Sequence, residues 1–279
     1  MTHLASTGID ILSCARRPFD RYVIETPEGD LTAAARVITD PAQLPPDQQP
    51  VDWLFIGLKA QQTQGAAAWF EKLSGPKTTI VTLQNGVEGE ERMAPLANGA
   101  AVIPAVVYCA AELVAPGRVK HQGGARLIVP NNEPGTELKQ LFGDSPANIK
   151  PADDHHDQAW YKLATNVVLN GITALTMRPM EVMRADGIHD LVRQLADEVF
   201  SVGIAEGTAH SQSDIDRFVE SIVQLPDGGI TSMLQDRRNA NSTEAEAIHG
   251  AVSRLGQRHG TPTPVTTALL TLIKAGDPQ

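Results

Sequence analysis

The feature that most constrains the fold of this chain is a change of hydrophobic period near Pro151. Before it, short apolar runs alternate with helical stretches; after it, apolar residues recur only at helical spacing. Candidate strands cover 9–14, 21–25, 53–57, 79–83 and 102–107. A helix is expected over 61–73, where Ala67, Ala68, Phe70 and Leu73 share a face. Such alternation predicts a mainly parallel sheet covered on its faces. A hairpin is expected next, with arms 117–121 and 125–129 joined across Gly123-Gly124. From Trp160 onward, helices are expected over 160–176, 188–206, 214–224, 243–257 and 263–275, with no strand. The segment 146–158 holds Pro146, Pro151 and the run Asp153-Asp-His-His-Asp157, and is the natural boundary. An α/β domain over 1–148 followed by an all-α domain over 149–279 is the expected organisation.

Charge and apolar runs narrow the partners. Lys+Arg number 23 against 33 Asp+Glu, a net charge of −10, which offers phosphate backbones no broad basic surface. Nucleic acid is therefore not expected as a partner, and an anionic membrane surface is disfavoured for the same reason. The N-terminus lacks the basic start and apolar stretch of a signal peptide, because Asp10 interrupts the first candidate run. The most apolar window, 100–114, is broken by Pro104 and Glu112 and is too short to span a bilayer. Cys14 and Cys109 lie in apolar strand-like runs without C-x-x-C or zinc-ligand spacing. Buried thiols in a reducing compartment are expected, rather than a disulfide. The expected location is cytoplasmic.

Ligands of open parallel sheets bind at the carboxyl ends of strands. Lys59 follows one predicted strand and Asn85-Gly86 follows the next, so both lie on one edge of the sheet. Singly they read as a helix start and a turn; together they favour a cleft. The sharpest pattern is Trp160-Tyr-Lys-Leu-Ala-Thr-Asn-Val-Val-Leu-Asn-Gly171. Lys162, Asn166 and Asn170 stand four apart and form one polar stripe on an otherwise apolar helix. Asparagine is a poor helix former, so a plain solvent face would more often use Glu, Lys or Gln. A lysine with two amides can hold a carbonyl and a carboxylate, with the ammonium as proton donor. A third segment, Thr231-Ser-Met-Leu-Gln-Asp236 with Asn241-Ser-Thr-Glu-Ala-Glu246, reads equally well as helix caps. Thr243 and Glu246 have capping-box spacing, Glu244 sits in a first turn, and Ser232 can cap its own helix. The run at 153–157 reads as a solvated boundary loop rather than a metal site, and no metal is expected.

These residues carry a resemblance. The chain resembles the ketopantoate reductases (2-dehydropantoate 2-reductases), a family with a Rossmann domain followed by an all-α domain. The resemblance runs over nearly the whole chain through Lys59, Leu83-Gln-Asn-Gly86, Tyr161-Lys-Leu-x-x-Asn166-x-x-x-Asn170 and Ser232-Met-Leu-Gln-Asp236 with Thr243-Glu244. It implies reduction of 2-dehydropantoate by NADPH in pantothenate and coenzyme A biosynthesis, with hydride delivered to the 2-oxo carbon and Lys162 protonating the oxygen. Asn166, Asn170 and Ser232 would bind substrate, and Asn85 would lie between nicotinamide and substrate. Lys59 and Glu244 would contact the cofactor, with Ala110 a weaker carry-over, and homodimerisation is what the family suggests. Ala15-Arg16-Arg17 follows the first strand, where an arginine accommodates the phosphate of NADP, so Arg16 or Arg17 points to NADPH.

Two departures accompany the resemblance. The family opens with a strand and a Gly-x-Gly-x-x-Gly turn, and this sequence contains no such turn. Its first strand matches the family's second, so about 20 residues with the pyrophosphate loop are expected to be missing, through a misplaced start or a fragment. A non-catalytic relative that has lost cofactor binding is the alternative. Met180 stands where the family usually places another substrate asparagine, which leaves a different small 2-oxo acid open as the substrate.

Overall fold

The structure, a computed structural model, describes residues 9–278. The N-terminal stretch read as lacking a signal peptide falls partly on residues 1–8, outside that range. The chain forms two compact units. The first holds the described residues up to Leu58, Gln62–Gln84 and Glu90–His155; the second holds Lys59–Gln61, Asn85–Gly89 and the chain from His156 onward.

In the first unit, β1 (Leu12–Cys14), β2 (Arg21–Thr26), β3 (Gly29–Ala34) and β4 (Arg36–Ile38) precede β5 (Trp53–Ile56), α1 (Ala67–Leu73) and β6 (Thr79–Thr82). The short α2 (Gly89–Met93), β7 (Ala101–Pro104), β8 (Val106–Ala115), β9 (Arg118–Pro130), α3 (Glu133–Phe142) and β10 (Asn148–Ala152) follow. Strands β5, β6 and β7 form a three-stranded parallel sheet, and β1 pairs in parallel with β4. Alternate residues of β6 explain why both faces are apolar: Ile80 packs with Phe70 and Met93, whereas Val81 packs with Ile103, Val129 and Leu138.

A five-stranded mixed sheet, ordered β10-β9-β2-β3 with β8 on β9, accounts for three departures from expectation. The strand over 21–25 belongs to this sheet, paired antiparallel with β3 and parallel with β9. The hairpin turns between Ala115 and Arg118, not at Gly123-Gly124. Those glycines lie within β9 opposite a register shift, and Gly124 has φ +69° with Tyr108 O only 2.7 Å from where a Cβ would sit. The doublet therefore makes a bulge rather than a turn. The segment read as a boundary loop is β10, parallel to β9, running into a helix at His155.

Both cysteines are thiols but exposed, which corrects their expected burial. Cys14 ends a short strand of the two-stranded sheet, and Cys109 begins a stretch of β8 exposed through Ala111, so neither apolar run is covered at that position.

The second unit is helical: α4 (His155–Thr176), α5 (Ile188–Ala205), α6 (Gln212–Val223), α7 (Ser232–Arg238), α8 (Ala245–His259) and α9 (Pro264–Ala275). Its core gathers Trp160, Leu163, Val167 and Val168 of α4 with Leu195, Val199 and Phe200 of α5, Phe218 of α6 and Ile248 of α8. Helix ends are satisfied by side chains. Ser211 and Asp214 form a capping box at α6, and Glu198 of α5 accepts from the Val265 and Thr266 amides at 2.8 Å to cap α9. Among the described residues, no helix is long and apolar enough to cross a membrane.

His249 of α8 is wholly buried, with Nε2 3.0 Å from the Val167 carbonyl. Burial pushes its pKa down to about 4 from the ordinary 6.5, so the fold favours the neutral ring. The unfolded chain takes up this proton first, so its contribution is complete above pH 6.5 and is lost as pH falls towards 4. The difference amounts to about 3 kcal/mol when fully expressed. Thermal melts at neutral and mildly acidic pH are expected to show a larger acid loss for the wild type than for His249→Gln. Equal losses would exclude His249 as the source.

Candidate active site

Strands β5 and β6 run parallel in adjacent positions, so their carboxyl ends release Lys59 and Asn85 on the same edge. Within the first unit, Gln84 ties the two exits together. Its amide donates to Leu58 O at 3.0 Å and to Thr63 Oγ1 at 2.8 Å, and Arg92 donates to its Oε1 at 3.0 Å. The amide is thus engaged as donor and as acceptor, which ties the start of its own loop to the loop that follows β5.

The segments Lys59–Gln61 and Asn85–Gly89 belong to the helical unit, and there they meet the residues singled out on the helices. Glu244 accepts from the Ala60 amide at 3.1 Å through one oxygen and from Asn85 Nδ2 at 2.9 Å through the other. Asn85 Oδ1 in turn accepts from Asn166 Nδ2 at 3.4 Å. The Asn85 amide is thus oriented from both ends, as donor to an acid and acceptor from an amide. Gly86 beside it has φ +95°, and Ala247 O lies 2.3 Å from where a Cβ would be. This close approach seats the Asn85 loop on the start of α8.

Lys59 Nζ pairs with Asp236 Oδ1, a carboxylate whose side chain is 12% exposed. Burial raises the Asp236 pKa above its ordinary value, the Lys59 hydrogen bond and charge oppose the rise, and the Glu244 charge adds to it. The Asp236 acid was not assigned a role from sequence. The only signal was its place in the Ser232-Met-Leu-Gln-Asp236 motif, since its partner Lys59 lies 177 positions away.

The α4 stripe runs as expected. Lys162 and Asn166 are half-buried, while Asn170 is 4% exposed and its Nδ2 has no hydrogen-bond partner. A buried amide donor left open costs on the order of 1–3 kcal/mol. One turn further on, Thr173 Oγ1 contacts Thr231 Oγ1 at 2.7 Å, linking α4 to the start of α7.

Three cap expectations are corrected. Thr231, not Ser232, caps α7 by accepting from the Leu234 amide; Ser232 is the first helical residue and is exposed. Thr243 and Glu246 form no capping box, since the Thr243 hydroxyl donates to Asp277 and Glu246 pairs with Arg254 and Lys274. Glu244 is the residue that precedes α8, and it gives no side-chain cap because its carboxylate is engaged by Ala60 and Asn85.

Arg16 and Ala110 belong to the first unit: Arg16 and Arg17 are exposed just beyond β1, and Ala110 is exposed on β8. Met180 is half-buried against the helical core, and its amide donates to Gly229 O at 2.9 Å. Among the described residues, no group of three or more His, Cys, Asp or Glu could hold a metal ion.

The fold and nearly the whole length of the chain match a known class of reductases. Residues 1–134 match the family described as "Ketopantoate reductase PanE/ApbA", and residues 154–277 match "Ketopantoate reductase PanE/ApbA C terminal". The chain belongs to the ketopantoate reductase family, whose members are pyridine-nucleotide-dependent reductases. It is 32% identical over 265 residues to a 2-dehydropantoate 2-reductase of Caulobacter vibrioides, covering 94% of this chain and 89% of that one. A crystal structure of a PanE/ApbA family ketopantoate reductase from Ralstonia eutropha JMP134 is similar at a TM-score of 0.87 and 26% identity, covering 98% of this chain and 92% of that one. A dimeric ketopantoate reductase from Staphylococcus aureus shares the fold at a TM-score of 0.82 and 24% identity, covering 94% and 88%. The α/β unit followed by the helical unit is therefore the Rossmann-type plus all-α arrangement expected from the sequence.

Proposed function

We propose that this chain reduces 2-dehydropantoate to pantoate with NADPH. The observation that carries the reading is the hydrogen-bonded row Glu244–Asn85–Asn166, which places a strand-end amide against the lysine-asparagine helix within one unit. The bound nicotinamide supplies the hydride. Addition to the 2-oxo carbon leaves negative charge on its oxygen, and an ammonium beside that oxygen stabilises the charge as it develops. Lys162 is assigned this role and then donates the proton. Asn166 holds the carbonyl region of the substrate from one turn along α4. Asn170, with its open buried donor, fits a substrate oxygen, and Ser232 offers a hydroxyl to the substrate.

The fit to the cofactor rests on donors and acceptors already in place. Glu244 can accept from hydroxyl or amide groups, and Lys59 can donate to oxygen or pair with phosphate. Arg16 or Arg17 takes the extra phosphate that distinguishes NADPH, and Ala110 is assigned a lesser cofactor contact by the family resemblance. Asn85, oriented from both ends, separates the nicotinamide from the substrate. The substrate is a small 2-oxo acid, and a homodimer is the assembly we assign.

Met180 favours a second reading in one respect. An apolar side chain packed on the core offers no hydrogen bond to a substrate hydroxyl, so a smaller or less polar 2-oxo acid fits that position as well. Turnover decides between them: NADPH should be oxidised with 2-dehydropantoate, with pantoate formed in equal amount. Turnover only with another 2-oxo acid would move the substrate, and none with any would sink the enzyme reading.

A further inference from the structure

We propose that Asp277 is a positioning residue for Glu244, and hence for cofactor binding; this rests on the reading of Glu244 as a cofactor contact. Glu244 spends its carboxylate on the Ala60 amide and Asn85 and gives α8 no side-chain cap, so the chain entering α8 takes its hold from other residues. The hold comes from beyond the last turn of α9. Asp277 Oδ2 accepts from the Thr243 amide at 3.2 Å and from the Thr243 hydroxyl at 2.9 Å. Thr243 is buried, and Arg237 at the end of α7 lies 3.9 Å from Asp277 Oδ1, with both side chains about four-fifths buried. On its other side, Gln61 donates to the carbonyls of Ser242 and Thr243 at 3.3 and 3.2 Å.

The anchor is continuous with the helical framework. Glu198 of α5 fixes the start of α9, and α9 delivers Asp277 to the start of α8. Through Thr243, a carboxylate 33 residues along the chain sets where the Glu244 side chain begins. Removing it lets the 242–244 segment move, and a displacement of about 1 Å at a positioned group is enough to weaken what it binds.

The test is steady-state kinetics of the full chain with NADPH and its 2-oxo acid substrate, beside Glu244→Gln. Asp277→Ala is expected to raise KM for NADPH about tenfold with kcat within about twofold. Asp277→Asn keeps an oxygen that accepts from Thr243, so it should return KM to within about twofold of wild type. Thr243→Val, which removes the hydroxyl from the other side of the same bond, should raise KM about threefold and carries the test if Asp277→Ala does not fold.

An unchanged KM in both Asp277→Ala and Thr243→Val, with Glu244→Gln raising it, overturns the positioning role while the cofactor reading stands. An Asn variant as impaired as the Ala variant also overturns it, because charge rather than the Thr243 contact would then matter. If Glu244→Gln leaves KM for NADPH unchanged, the cofactor reading falls first and takes this proposal with it.

Discussion

Lys162→Ala is expected to lower kcat by about 10²–10⁴, with KM for NADPH within about threefold of wild type. The magnitude is that of a positioned proton donor: hydride addition creates an alkoxide, and without the ammonium that charge has no fixed partner and no nearby proton. Cofactor binding should survive because the Glu244–Asn85 hydrogen bond and the Lys59–Asp236 pair join other residues and stay in place. Lys162→Arg separates the two parts of the role. An arginine keeps the charge but holds its proton too tightly to give it up, so it should recover part of the loss and not the whole. A kcat within about threefold of wild type in Lys162→Ala would remove the proposed donor.

The second large effect is on stability. Gly86→Ala places a methyl where the Ala247 carbonyl oxygen stands 2.3 Å away, at φ +95°. Neither problem relaxes locally, because the obstructing atom is backbone in the first turn of α8. Strain at such a backbone adds about 1–3 kcal/mol before the collision is counted, and together they should cost about 3 kcal/mol or more. At 2–4 °C per kcal/mol for a protein of this size, the melting temperature should fall by about 10 °C. A melt within about 2 °C of wild type would mean that the Asn85 loop is not seated on α8 as described.

The sequence was most informative where periodicity and chemistry coincide. Five of the helices of the second half follow from apolar spacing, because each contributes one apolar face to a shared core, whereas the short α7 was not expected. The Lys162–Asn166–Asn170 stripe was legible for the same reason: two amides on an apolar helix have no helical advantage to explain them. What could not be read locally depends on distant partners. Thr243 and Glu246 have the spacing of a capping box, but Asp277 takes the hydroxyl of one, and Lys274 with Arg254 takes the carboxylate of the other. Lys59 and Asp236 meet across 177 positions, so no window could pair them. Gly123-Gly124 carries the composition of a tight turn, and only the pairing of β8 with β9 shows it to be a bulge. Cys14 and Cys109 looked buried because their neighbours are apolar, whereas exposure depends on what packs over each strand, and β8 is open from Cys109 to Ala111.

The central claim, an NADPH-dependent reductase of 2-dehydropantoate, is tested most directly by turnover of the chain with a panel of small 2-oxo acids. Loss of NADPH absorbance and formation of the hydroxy acid would be followed together. The account predicts the highest kcat/KM for 2-dehydropantoate, with one pantoate formed per NADPH consumed and a lower kcat/KM with NADH. Absence of substrate-dependent oxidation with every member of the panel, from protein whose melt shows both units folded, would contradict it.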